Sequence, residues 1–243
     1  MENNMKFTEG YWLLSERTNG QFASQAYHIE AMENGLRVVA PTSPVLSRGD
    51  TLNLPTITIE FLAVSPEVIS VRAWHYEGYR TGEARFEKKE TTCDAVVTIT
   101  ENEAVLDAGR VSVHVDRKNW GYSFWADGKL LTSSGFHNLG YVRWDKRVSS
   151  MLPQDNYMKE HEYTPYMTQD LLLAPGENVY GFGERFTAFV KNGQAVETWN
   201  EDGGTASQVA YKNIPFYMTN RGYGVFVDHT GNVSFEVASE KVE

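Results

Sequence analysis

Short runs in which apolar and polar residues alternate recur along most of the chain. Val111-Ser112-Val113-His114-Val115-Asp116 alternates with a period of two, as does Val96 to Thr100. Successive side chains of a strand point to opposite faces, so this pattern places one face on a core and the other toward solvent. Ile57 to Val64 and Val68 to Tyr76 are longer apolar runs on either side of Pro66, and they read as a hairpin pair. Asn19-Gly20, Asn34-Gly35, Asp127-Gly128 and Asn192-Gly193 are dipeptides that take positive φ readily, and they are predicted as tight turns. Helical signals are few: Pro153 to His161 offers a turn or two before Pro165 intervenes. The prediction is an all-β chain, a large antiparallel two-sheet sandwich with little helix, rather than alternating βαβ units. No repeat of fixed period and no low-complexity linker divides it. One sandwich is therefore expected, with Gly135 to Leu139 and Ser149 to Asp155 the loop-like places where a boundary would fall.

Composition narrows the partners. With 243 residues the chain can bury a sizeable core, and its 41% apolar content suits a globular protein. A net charge of −10 opposes approach to a polyanion, and no Lys/Arg-rich tract makes a local exception. Nucleic acid and anionic membrane are excluded on that ground. No run approaches the ~20 apolar residues of a membrane span, and the first twenty residues carry charges where a leader's apolar core would lie. Cys93 is the only cysteine, so no intrachain disulfide and no cysteine-based metal site is expected. Together these features suggest a soluble, cytoplasmic protein.

One stretch, Tyr180 to Val227, packs glycines, aromatics and acidic residues more densely than the rest. It reads Tyr180-Gly181-Phe182-Gly183-Glu184-Arg185-Phe186, then Trp199-Asn200-Glu201-Asp202-Gly203-Gly204, then Tyr211-Lys212-Asn213-Ile214-Pro215-Phe216-Tyr217, then Arg221-Gly222-Tyr223-Gly224-Val225. Glycines allow close backbone approach, aromatic rings offer flat apolar faces, and Glu184, Asn200 and Asp202 offer acceptors. This mixture suits a sugar better than a phosphate or a metal. Gly181-x-Gly183 lacks the Lys-Ser/Thr ending of a phosphate loop, and no Gly-x-Ser-x-Gly elbow occurs. The six histidines show no metal-ligand spacing. No metal and no cofactor is expected.

The four blocks, in that order and separated by short gaps, resemble the end of the amino-terminal β-domain of glycoside hydrolase family 31, most closely its bacterial α-xylosidases. Upstream of about Leu171 the likeness rests mainly on strand-rich texture. The resemblance implies a sandwich of the galactose mutarotase-like type, spanning residues 1–243 as a single amino-terminal domain of a larger glycosidase. It also implies that the two catalytic carboxylates lie on a following (β/α)8 barrel, so no catalytic residue is expected in this chain. A retaining mechanism needs two carboxyls about 5–5.5 Å apart, and Glu184, Glu197, Glu201 and Asp202 are explained as well by a solvated acidic loop.

Residue readings follow. Asp202, with Gly203, is a carboxylate on a glycine-flanked loop able to reach sugar hydroxyls, although Asp-Gly is also an ordinary turn dipeptide. The resemblance implies the substrate contact. Trp199 offers a ring face to a sugar, or packs in the core as a strand tryptophan generally does. Glu184 and Arg185 are expected to form an ion pair that fixes the loop, and Asn200 to orient it through side-chain-to-backbone hydrogen bonds. The implied partners are an α-xyloside or related oligosaccharide and the barrel of the same parent chain, with a homo-oligomer as a further option. The alternatives are a stand-alone carbohydrate-binding or assembly module, and a sugar mutarotase, for which no local motif pairs a histidine with a glutamate.

Overall fold

The computed structural model describes residues 7–8, 13–16, 18–52, 54–76, 86–87, 91, 93–145, 163–200 and 211–239. Among them lie seventeen strands and one short 3-10 helix, and every strand pair is antiparallel. The chain divides into two compact units: Leu14–Gly78 with Glu90–Leu172, and Met1–Leu13 with Tyr79–Lys89 and Leu173–Glu243.

The larger unit carries the sandwich. One sheet is a four-stranded meander, β2 (His28–Met32), β3 (Gly35–Pro41), β4 (Thr56–Ser65) and β5 (Val68–Trp74). The second is a five-stranded meander, β6 (Val96–Ile99), β7 (Glu103–Asp107), β8 (Val111–Asp116), β9 (Gly121–Ala126) and β10 (Lys129–Ser134). A third sheet joins β1 (Thr18–Phe22), β11 (Leu139–Asp145) and β12 (Tyr163–Gln169), with β11 in the middle.

Alternation decides which side chains meet. Leu36, Val38 and Ala40 of β3 and Ile57, Ile59 and Phe61 of β4 pack in one core with Ala104 and Leu106 of β7, Val113 and Val115 of β8, and Tyr122 of β9. Each large aliphatic buried this way contributes roughly 1.5–3 kcal/mol. Phe61 meets Tyr122 edge-on at 5.1 Å between centroids. In the first sheet, Glu30, Arg37 and Glu60 stand opposite one another on β2, β3 and β4. Arg37 donates Nη1 to Glu30 at 2.8 Å and Nε and Nη2 to Glu60 at 2.9 and 2.7 Å.

The expected strands appear where the alternation put them: β8 is Val111–Asp116, and β4 and β5 form the hairpin around Pro66. Asp127-Gly128 closes the β9–β10 hairpin with φ of 50° and 73°, the all-positive pair that a two-residue turn needs. Asn19-Gly20 is a correction. It lies inside β1, opposite Arg143 and Val142. The glycine serves a close approach instead: a Cβ on Gly20 would fall 2.7 Å from the Phe22 ring, and one on Gly140 would fall 2.6 Å from it. Phe22 thus lies over two strand glycines. His114 turns toward its neighbour strand, with Nδ1 2.8 Å from Glu103 and Nε2 3.1 Å from Ser112 Oγ, so both ring nitrogens are engaged. The helical turn expected at Pro153 to His161 lies outside the described residues. Among the described residues no helix is long and apolar enough to cross a membrane.

The smaller unit contains a three-stranded sheet, β13 (Val179–Gly183), β15 (Asn213–Thr219) and β16 (Gly224–Phe226), with β15 central. Beside it in sequence, β14 (Gln194–Glu197) pairs with β17 (Ser234–Val237). Three of the four sequence blocks singled out above therefore meet in one sheet. A small core of Val179, Phe182, Val196 and Val237, flanked by Leu173, Tyr217 and Phe235, holds the two sheets together.

Candidate functional site

The Gly-Phe-Gly block shapes the sheet that carries the site. Gly181, Phe182 and Gly183 have φ of 122°, 67° and 84°, and the β13–β15 register slips between Gly181 and Gly183. The result is a bulge that turns Phe182 into the core, where it is fully buried and packs at 4.6 Å on Phe235 and 5.7 Å on Tyr217. A left-handed non-glycine residue costs about 1–3 kcal/mol; removing such a buried ring costs about 3–5 kcal/mol. Burial wins. The flanking glycines are required because a Cβ on Gly183 would fall 2.1 Å from the Lys212 carbonyl, and one on Gly181 2.7 Å from that of Phe216.

Past the bulge the chain is fastened by two separate sets of contacts. The expected Glu184–Arg185 ion pair is not what forms: Glu184 pairs with Lys212 at 2.7 Å, on an exposed surface. Adjacent residues of an extended chain point apart, so Glu184 reaches across to the start of β15 and Arg185 turns inward. Arg185 donates Nη2 to the Glu197 carbonyl at 2.7 Å and Nε to the Phe182 carbonyl at 3.2 Å, tying the end of β14 to the bulge. Burial holds its pKa below the ordinary value. Lys191, only 3% exposed, caps the same region by donating Nζ to the Ala188 carbonyl at 2.7 Å and Thr187 Oγ1 at 3.0 Å. Burial lowers its pKa first, and the nearby Arg185 charge lowers it further.

At the end of β14 the ladder stops and Trp199 and Asn200 leave the sheet. The core placement generally expected of a strand tryptophan does not hold here: Trp199 is 50% exposed, because it lies two residues past the last β14–β17 pair, at Glu197. Asn213, the first residue of β15, pins the turn. Its Nδ2 donates to the Trp199 carbonyl at 2.9 Å and to Asn200 Oδ1 at 2.7 Å, and its backbone N–H donates to Asn200 Oδ1 at 3.3 Å. Asn200 Oδ1 thus accepts from both the backbone and the side chain of Asn213. Asp202 and Gly203 lie outside the described residues.

A cleft of about 270 Å³ opens at this turn, lined by Phe86, Thr198, Trp199, Asn200, Asn213, Pro215, His229, Thr230 and Gly231. His229 Nδ1 accepts the Gly231 N–H at 2.9 Å, which leaves Nε2 to carry the ring proton in the neutral form. The described lining offers two aromatic rings, amides, hydroxyls and one imidazole. These groups make contacts with a polyhydroxyl ligand; the lining includes no carboxylate pair for acid–base work. Among the described residues no three His, Cys, Asp or Glu side chains cluster to hold a metal.

Sequence reasoning missed Asn213, His229, Phe86 and Lys191. Asn213 stood inside one of the quoted blocks. Its signal was chemical: an amide beginning a strand can donate and accept at once, as a turn-pinning residue must.

The model of the glycosyl hydrolase 31 N-terminal galactose mutarotase-like domain matches residues 57–236. The chain belongs to that family. Within it, this family 31 domain is 40% identical over 244 residues to alpha-xylosidase XylQ of Lactiplantibacillus pentosus, covering 98% of this chain and 29% of that protein. It is 35% identical over 246 residues to an alpha-xylosidase of Emericella nidulans, covering 98% of this chain and 31% of that protein. The family 31 domain thus spans about three tenths of the length of the curated relatives it matches. Among solved structures, the cycloalternan-forming enzyme of Listeria monocytogenes aligns over 92% of this chain and 19% of its own, with a TM-score of 0.67 at 14% identity. The GH31 alpha-xylosidase of Xanthomonas citri aligns over 84% of this chain and 19% of its own, with a TM-score of 0.58 at 16% identity. At that identity the likeness is one of fold.

Proposed function

We propose that this chain is the amino-terminal accessory domain of a retaining α-xylosidase, and that it contributes substrate contacts through Trp199, Asp202 and Gly203 to an active site whose catalytic carboxylates lie elsewhere in the parent protein. Residues 1–243 act as one such domain in this reading, although they group into two contact units. The observation that carries it is the turn at Trp199–Asn200, half-exposed and pinned by Asn213 at the mouth of a cleft. Identity of 40% to an alpha-xylosidase along nearly the whole chain supports the substrate class. Glu184, Arg185 and Asn200 support the turn. The parent works in the cytoplasm, consistent with the lone Cys93, which is unpaired, and a homo-oligomer is compatible with this reading.

The test is turnover of an aryl α-xyloside by the parent enzyme and its Asp202→Ala variant. Loss of a charged hydrogen bond to substrate is worth ~1.5–3 kcal/mol, so kcat/KM is expected to fall about 10- to 100-fold. The first-formed xylose should be the α anomer, by retention. Unchanged kinetics in the variant would remove Asp202 from the site. A second reading is favoured by the cleft's being complete within one unit: the domain binds sugar by itself. Calorimetric titration of the isolated chain with xylosides, with loss of heat in Trp199→Ala, would support it.

A further inference from the structure

The loop between β16 and β17 presents a histidine to the cleft. It is fastened at both ends to the segments that form the Trp199 turn. The Val227 N–H donates to the carbonyl of Pro215 in β15 at 2.8 Å. At the other end the Val233 carbonyl accepts from the Thr198 N–H at 2.8 Å and from Thr198 Oγ1 at 3.1 Å. His229 stands between these anchors and lines the cleft with Thr198, Trp199 and Asn213. Its position relative to the turn is therefore set by main-chain bonds on either side.

Two features fix the imidazole itself. The Gly231 N–H donates to Nδ1 at 2.9 Å, which the neutral ring accepts only with its proton on Nε2. The ring also lies against Gly231: a Cβ there would fall 2.6 Å from Cε1 and 3.0 Å from Nδ1, so a side chain at 231 would displace it. An exposed histidine is thus held in one tautomer and one pose. Among the described residues no protein group meets Nε2, which remains a donor facing outward. A donor ordered in advance loses little freedom when a ligand meets it. The cleft lining includes no lysine or arginine, as a phosphate or carboxylate ligand would call for. One neutral N–H beside the half-exposed indole of Trp199 suits an uncharged hydroxylated ring instead. Resting on the reading that this cleft receives substrate, we infer that His229 is a substrate-binding residue whose Nε2–H donates to a hydroxyl oxygen of the sugar held against Trp199.

Two substitutions in the parent enzyme separate the two ring nitrogens, with turnover of an aryl α-xyloside as the readout. Asparagine places an oxygen near the Nδ1 position and keeps the Gly231 bond, but it offers no donor where Nε2 stands. Glutamine reaches the Nε2 position with an amide donor and gives up the Gly231 bond. His229→Asn is expected to lower kcat/KM about three- to tenfold, chiefly through KM, because the lost contact is made in ground and transition states alike. His229→Gln should recover most of that loss, to within about twofold of the unaltered enzyme. The reverse order, or equal loss in both variants, overturns the proposal and leaves the imidazole as a fastening of its own loop. Unchanged kinetics in His229→Asn also overturns it. Trp199→Ala in the same assay distinguishes this failure from failure of the reading beneath it. If Trp199→Ala impairs turnover and His229→Asn does not, the cleft receives substrate and the His229 contact alone falls. If neither variant changes turnover, the cleft does not meet substrate and both readings fall.

Discussion

Phe182 sets the terms at the scale of single residues. A buried aromatic in a left-handed conformation persists only where its surroundings over-determine it, and here two glycines and two ring contacts do so. Phe182→Ala is expected to destabilise the smaller unit by about 3–5 kcal/mol. Gly183→Ala, forced against the Lys212 carbonyl, should cost about 2 kcal/mol or more. Urea unfolding of each variant checks both, and a Gly183→Ala midpoint equal to the parent's would contradict the bulge geometry. Tyr217 supplies a pH test in the same core. Burial, with a smaller effect of Glu177, pushes its pKa from 10.0 up to about 12. A raised pKa favours the neutral phenol in the folded state, so the stabilisation is complete below pH ~10 and is lost as pH rises toward ~12. Phenolate absorbance of the chain minus that of Tyr217→Phe should therefore appear only as pH approaches ~12. A difference already complete near pH ~10 would refute the burial.

Elements were the most legible part of the sequence, for a physical reason. Period-two alternation is imposed by the strand itself, so β4, β5 and β8 could be placed from composition along the chain. Asn19-Gly20 misled because a glycine in a dipeptide signals freedom of φ or lack of a Cβ, and only the partner ring of Phe22 decides which. The same limit applied to Trp199, whose exposure depends on where the β14–β17 ladder ends. Asn213 stood inside a quoted block, but only the fold brings it against Trp199 and Asn200 of another block. The β8–β9 connection carries its own prediction. Asp116 is held below its ordinary pKa of 3.8 chiefly by the Asn119 N–H, aided by the Lys118 N–H and opposed by burial. A depressed carboxylate stabilises the fold above its unfolded pKa and ceases to do so as pH falls through the folded one. The stability advantage over Asp116→Asn should thus be full near neutrality and shrink below pH ~4; an advantage that is flat down to pH ~2 would contradict the turn.

For the whole molecule, the family follows from residues 57–236 and the fold from two packed meanders, and the chain matches about three tenths of the length of its curated relatives. In the proposed function the Trp199–Asn200 turn, held by Asn213, presents this domain to the substrate. Steady-state kinetics of the parent enzyme carrying Asn213→Ala, on an aryl α-xyloside, tests it most directly. Losing the two side-chain hydrogen bonds that position the turn is worth ~1–3 kcal/mol, so kcat/KM should fall about tenfold or more, with secondary structure and unfolding of the larger unit unchanged. Kinetics indistinguishable from the unaltered parent would contradict the claim, and would leave the Asn213 bonds as support for the sheet alone.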